Sequence, residues 1–273
     1  MKKWIVVWAL IFPFVSYAGN QLLISDIDDT LKATHVLDRD DLLINGVTVG
    51  QSFEGASDLF NIWSSFPGRQ VKYVSGVLSD ILGSDILAKT SQAFLVKYKF
   101  PKGEFFSRPS IFEGLLQYKV ETISKILQAE DPSLEIILIG DNGQLDPDVF
   151  FEVGAAFPKR KIYSFVHQVY DSPESAPNYS DQIGWLTAAD LGVSMFARGW
   201  ISEQDLSKIL VDIRIRFESD NGFESVIPKW VNCRDFWKAY RRPSVKFSDP
   251  KNIELTQEIE SLYSNRCQAV VRK

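Results

Sequence analysis

An apolar run, Leu22-Leu23-Ile24-Ser25, ends directly in Asp26-Ile27-Asp28-Asp29-Thr30, so three carboxylates follow a segment that reads as a buried strand. Like charges this close repel and raise one another's pKa, and a divalent cation is the usual means of holding them together. A chain that uses this run must bury the strand and bring positive charge to its carboxyl end. An open α/β sheet does both, because its ligand crevice lies outside the carboxyl ends of the strands. Taken alone, the same string also reads as an acidic turn in which Asp29 caps the backbone.

Further apolar runs, continuous rather than alternating, occur at Val71–Val74, Glu135–Ile139 and Ile162–Val166, as in strands covered on both faces. Helices are expected between them over Ala56–Ser65, Phe112–Ala129 and Asp148–Phe157, with Pro147 suited to a first helical turn. The alternation predicts an α/β fold with a Rossmann-like parallel sheet and helices on both faces. In Leu42–Val49, Asn45-Gly46 separates two apolar triplets and predicts a small β flap beside the first strand's carboxyl end.

Residues 172–184, rich in Ser, Pro, Asn and Asp, are expected to form a loop or lid. Beyond them Trp185–Arg198, Glu203–Phe217, Arg234–Arg241 and Ile253–Tyr263 read mainly as helices, with Trp200, Trp230 and Trp237 as packing anchors. The expected division is a core domain over 19–171, the lid, and a C-terminal helical extension over 185–273 packed on the core.

The first residues differ in character. Lys2 and Lys3 precede an apolar stretch from Trp4 to Val15, and Ser16-Tyr17-Ala18 supplies the small residues that a signal peptidase reads. The stretch is shorter than the ~20 apolar residues of a spanning helix. Residues 1–18 are therefore expected to be a signal peptide, and the remainder to be exported, periplasmic or secreted, with no transmembrane span. Cys233 and Cys267 are the two cysteines, and an oxidising compartment favours a disulfide between them over two buried thiols. With 30 basic and 35 acidic residues the net charge is −5, which provides no positive field for nucleic acid.

Three more features fall where a doubly wound sheet would gather them. Ser75 and Gly76 follow a strand, offering a hydroxyl and an accessible amide to an anion. Lys119 lies beside the helical stripe Leu116, Val120, Ile123 and Leu127, where a lysine taken singly usually reaches solvent. Ile136–Ile139 runs into Gly140-Asp141-Asn142-Gly143-Gln144-Leu145-Asp146, again placing acids at a strand's carboxyl end.

In this order the features resemble the four motifs of the haloacid dehalogenase (HAD) superfamily. Within it, Asp26 to about Val169 is similar to the actin-patch-protein type of phosphatidate phosphatase catalytic domain. The strings that carry the resemblance are DIDDTLKATHVL, KFPKGEFFSRPS, YKVETISKIL and LIGDNGQLDPDVF. It implies a HAD-like fold and Mg²⁺ as cofactor. Asp26 would be the nucleophile that forms an aspartyl-phosphate, and Asp28 the general acid and then base. The metal would be held by Asp26, the main-chain carbonyl of Asp28 and Asp141, with Asp146 as a further ligand or close support. Ser75, the Gly76 amide and Lys119 would bind phosphate, Lys119 also offsetting the charge of the nucleophile. Thr30 would orient Asp28, and Arg108 is a candidate second phosphate contact or a surface arginine.

Two positions depart from the family. Gly76-Val77-Leu78 stands where a polar Asn-Ser-Pro run is usual, and His167 where an arginine is usual, so the substrate pocket differs. His35 reads as structural support. The implied substrate is a phosphorylated lipid, with peripheral membrane contact left open. A soluble nucleotide or sugar phosphate is the alternative within the enzyme class. A non-catalytic phosphate or lipid-headgroup binding protein, or an interaction protein that works through its helical tail, are the alternatives outside it.

Overall fold

The computed structural model describes residues 19–38, 48–79, 84–110, 112–143, 145–171, 179–219, 222–233, 236 and 243–270. The expected signal peptide, most of the expected flap, most of the expected lid and most of Arg234–Arg241 lie outside the described residues. The strands are β1 (Gln21–Ser25), β2 (Lys32–Ala33), β3 (Gln51–Ser52), β4 (Arg69–Leu78), β5 (Glu104–Arg108), β6 (Glu135–Asp141), β7 (Ile162–His167) and β8 (Ile183–Trp185). The helices are α1 (Ala56–Ser64), α2 (Ile86–Lys97), α3 (Leu115–Ala129), α4 (Asp146–Ala156), α5 (Ala188–Ala197), α6 (Glu203–Glu218), α7 (Gly222–Val226) and α8 (Pro250–Val270).

Six strands form one parallel sheet in the order β5-β4-β1-β6-β7-β8. The chain builds outward from β1 through β4 to β5, then returns to lay β6 on the other side of β1. That reversal makes the gap between the carboxyl ends of β1 and β6 the switch point, where such a sheet opens its crevice. Ser25 pairs with Ile139, so Asp26 and Asp141 leave their strands at nearly the same level. β2 and β3 pair antiparallel beside this end, at the two sides of the segment where the flap is expected.

Successive side chains of a strand point to opposite faces, and both faces here are buried. Leu23, Val71, Tyr73, Ile137 and Ile139 face a core closed by α1, α2, α5 and α6, with Phe60, Trp63, Phe94 and Leu210 in it. Leu22, Ile24, Val74, Ile136 and Leu138 face a second core, closed by α3 and α4 through Ile123, Leu127, Val149 and Val153. Each fully buried aliphatic side chain contributes about 1.5–3 kcal/mol. Paired layers of this kind hold β1 and β6 rigidly, and with them the residues that follow.

Several boundaries differ from expectation. α3 begins at Leu115 rather than Phe112, because Gly114 at its N-cap is extended. α4 begins at Asp146, with Pro147 in its first turn as expected. β5 carries charged residues at both ends and is nowhere fully buried because it is the outer edge of the sheet. The sheet also continues past residue 171, where the core domain is expected to stop: β8 pairs with β7, and Trp185 ends this strand instead of opening a helix. α5 starts only at Ala188, where Thr187 and Asp190 form a reciprocal capping box.

The C-terminal helix α8 packs on the first core through Ile259, Tyr263 and Cys267. The Tyr263 hydroxyl donates to Asp190 Oδ1 at 3.0 Å, and Cys267 is disulfide-bonded to Cys233 across a separation of 34 residues. Closing a loop of that size stabilises by roughly 4 kcal/mol in the chain-entropy account. Among the described residues no helix is long and apolar enough to cross a membrane.

Candidate active site

Asp26 is the first residue after β1 and is buried, its N–H donating to the Ile139 carbonyl at 2.8 Å. Lys119 projects from α3 between two of the acids: its ammonium donates to Asp26 Oδ1 at 2.9 Å and to Asp146 Oδ1 at 2.5 Å. A lysine on a helical stripe usually reaches outward, but Lys119 is 1% exposed, so it serves the acids and not solvent. Asp146 opens α4 and accepts the Asp141 N–H at 3.2 Å through Oδ2. Gly140 makes this approach feasible, since a β-carbon there would collide with the Asp146 carboxylate. Oxygens of Asp26, Asp141 and Asp146 all lie within 4.8 Å of one another.

The loop after Asp26 is wound around Asp29. Its carboxylate accepts the backbone N–H groups of Thr34 (2.8 Å), His35 (2.7 Å) and Val36 (2.7 Å), and the Tyr170 hydroxyl as well. Asp29 is thus the capping acid that one reading of the string anticipates, and its left-handed φ of 55° is held by these bonds. Asp28 faces elsewhere: its Oδ1 accepts the Thr34 hydroxyl at 2.7 Å and lies 3.8 Å from the Lys32 ammonium. Thr30, expected to orient Asp28, instead donates to Asp26 Oδ2 at 3.3 Å. Thr34 holds Asp28 because the loop folds back on itself after Lys32, a closure that the linear string does not reveal.

Ser75 is fully buried on β4, and since Tyr73 pairs with Ser25, Ser75 stands at the height of the acidic loop. The register with β5 shifts between Ser75 and Leu78, so Gly76 and Val77 form a bulge, and the Val77 N–H turns back to Ser75 Oγ at 3.3 Å. Arg108 lies one strand further out, paired in register with Leu78. One of its terminal nitrogens donates to the Glu113 carbonyl at 3.3 Å, and its Nε is buried without a hydrogen-bond partner among the described residues.

The histidines are embedded. The His167 ring lies between the carbonyls of Asp29 (2.8 Å) and Leu186 (3.0 Å) and stacks on Trp185 at 3.9 Å. Burial pushes it down to about 4, against the two carbonyls, which favour the protonated ring. His35 stacks on Trp230 at 4.5 Å. Three groups that the sequence does not single out also shape the site: Lys32, Thr34 and Asn142. The Asn142 side chain accepts the Val169 and Tyr170 N–H groups and donates to the Tyr170 carbonyl, tying the end of β6 to the end of β7.

Burial is the main electrostatic fact here. It pushes Asp26 up to about 8; Lys119 opposes the shift, while Asp146 and Asp28 add to it. Asp141 is pushed well above its ordinary value by burial and then by Asp146 and Asp26, and Asp146 is raised by burial against the pull of Lys119. Burial alone would lower Lys119, but Asp146, Asp26 and Asp141 outweigh it and hold the ammonium above its ordinary range. Asp141 Oδ2 is buried with no hydrogen-bond partner among the described residues. Three converging carboxylates, one bridging ammonium and an orphaned carboxylate oxygen fit a hard divalent cation.

The direction of these shifts fixes a dependence on pH. A carboxyl whose folded pKa is raised contributes stability that is full below its unfolded value near 4 and is lost as pH rises, for Asp26 through about 8. Without metal the protein is expected to melt at falling temperature between about pH 5 and pH 8. Mg²⁺ should raise the melting temperature more at the upper end, by about 4 °C or more. Thermal unfolding in EDTA and in Mg²⁺ checks this, and a metal-free profile that is flat over the range would refute it.

A doubly wound sheet with acids at the carboxyl ends of β1 and β6, a serine on β4 at the same level and a helical lysine bridging the acids defines a protein of the HAD superfamily. The family model described as "Phosphatidate phosphatase APP1, catalytic domain" matches residues 21–214. The chain therefore belongs to that family of phosphoric monoester hydrolases. The match runs past β7 to take in β8, α5 and most of α6. An uncharacterized protein of Schizosaccharomyces pombe is 29% identical over 166 residues, covering 54% of this chain and 25% of its own length. The chain thus spans about a quarter of that curated relative. No solved structure matches.

Proposed function

We propose that the chain is an exported, Mg²⁺-dependent phosphatase that hydrolyses a phosphomonoester of the phosphatidate type through an aspartyl-phosphate on Asp26. The observation that carries the reading is the buried Asp26 carboxylate, clasped by Lys119 at 2.9 Å and within one ion's reach of Asp141 and Asp146. Asp26, Asp141 and Asp146 would hold the metal, with the Asp28 carbonyl as a further ligand. When bound, Mg²⁺ supplies the positive charge that lets these acids stay ionised together and draws in phosphoryl oxygens.

The residues of the chain do the rest. Asp26 attacks phosphorus, and Lys119 offsets the repulsion between two anions as they meet. Ser75, the Gly76 amide on the bulge and the buried Nε of Arg108 receive phosphoryl oxygens. Asp28 gives a proton to the departing alkoxide, then takes one from the water that cleaves the intermediate.

Family membership supports a phospholipid as substrate. The signal-like first 18 residues and the disulfide between Cys233 and Cys267 support an oxidising, extracytoplasmic location. The same reading keeps the segment before β8 as a joining loop or lid and the chain after β8 as an extension that is mainly helical. The test is phosphate release from phosphatidate vesicles and from soluble nucleotide and sugar phosphates, with Mg²⁺ or with EDTA. Release from vesicles that exceeds release from the soluble esters and stops in EDTA is expected. Turnover of soluble esters alone would refute the lipid substrate, and turnover in EDTA would refute the metal.

A further inference from the structure

Lys32 is a charged side chain at the site to which the reaction as described gives no task. It lies on β2 with its side chain fully buried, and its ammonium is 3.8 Å from Asp28 Oδ1. The same oxygen accepts the Thr34 hydroxyl at 2.7 Å. The Lys32 backbone grips the loop too: its N–H donates to the Ile27 carbonyl at 2.9 Å, and its carbonyl accepts the Asp29 N–H at 2.7 Å, so Asp28 is bracketed on both sides. Room for the side-chain stem comes from Gly50, where a β-carbon would stand 2.9 Å from Lys32 Cε and where φ is +65°.

Burying an ammonium carries a desolvation cost that an apolar side chain of the same length would avoid. The Lys32 ammonium and the Thr34 hydroxyl both reach the same oxygen of the Asp28 carboxylate. We propose that Lys32 and Thr34 are positioning residues that hold Asp28 by Oδ1 and so reserve Oδ2 for proton transfer. This rests on the proposed role of Asp28 as acid and base. In the first step the bond from phosphorus to Asp26 forms as the bond to the ester oxygen breaks, and the proton on Asp28 Oδ2 passes to that departing oxygen. A misdirected carboxyl would slow this step only where the leaving group needs the proton.

The test uses the full chain with Mg²⁺ and compares Lys32→Met, which keeps the length of the stem, and Thr34→Val, which keeps the shape, with the wild type. The kcat/KM is measured on p-nitrophenyl phosphate, whose phenolate leaves readily unprotonated, and on dioctanoyl phosphatidate in detergent micelles, whose alkoxide does not. Both variants are expected to lose about 100-fold on the alkyl ester through kcat, with KM little changed, and only a few-fold on the aryl ester. Equal losses on the two esters, or a loss confined to KM, would overturn the proposal. Should Lys32→Met fail to fold, Thr34→Val decides alone, since it leaves the ammonium in place. A wild type that releases phosphate from neither ester would bring down the phosphatase reading and this inference together, a result distinct from equal losses in an active enzyme.

Discussion

Asp26→Asn is expected to lower kcat by about 10⁴-fold or more, equivalent to about 5 kcal/mol of barrier, because an amide oxygen is no nucleophile towards phosphorus. The fold should survive. The substitution nearly preserves shape, leaves an oxygen for the Lys119 ammonium, and removes one of three buried like charges that share a small space. In EDTA near pH 8, the variant should therefore melt at or above the wild-type temperature while being inactive, a trade of function for stability seen where active sites are strained. Phosphate release under saturating substrate and a melting curve check both halves. Turnover close to wild type would remove Asp26 as the nucleophile.

Lys119→Met should also abolish turnover, but with the opposite effect on stability. Its ammonium makes the ion pairs to Asp26 and Asp146, both buried. Removing one partner of a buried pair leaves uncompensated charge and costs about 3–5 kcal/mol, or a fall of about 10 °C in melting temperature for a chain of this size. The loss should be smaller near pH 5 than near pH 8. Asp26 and Asp146 already have raised pKa values against the pull of Lys119, so without it they rise further, and acid neutralises them. Urea unfolding at the two pH values measures this. An unchanged unfolding midpoint would show that Lys119 does not hold the acids together.

The acids were legible in the chain because crowding of like charge after an apolar run has few physical solutions, and Asp26, Asp141 and Asp146 do converge. The parallel strands β1, β4, β6 and β7 were legible for a similar reason: strands covered on both faces leave unbroken apolar runs. The edges were not. β5 mixes charged and apolar residues, and β8 is three residues long, so neither carries enough period to be read. Lys119 was visible only in combination with the other motifs, since its burial depends on how α3 lies over the carboxyl ends of β1 and β6. Lys32 and Thr34 were hidden further, because their contact with Asp28 exists only once the loop has closed around Asp29.

The disulfide and the aromatic contacts of Trp230 bear on which parts of the chain can vary independently. Trp230 stacks on His35 and on Tyr170, whose hydroxyl meets Asp29, and it stands three positions before Cys233. It also lies outside the stretch matched to the family, which ends at residue 214. An indole from the tail thus backs the loop that carries Asp28 and Asp29. A relative that exchanged its tail for another would have to rebuild that backing, so drift in the tail is bounded by the chemistry at the opposite side of the loop.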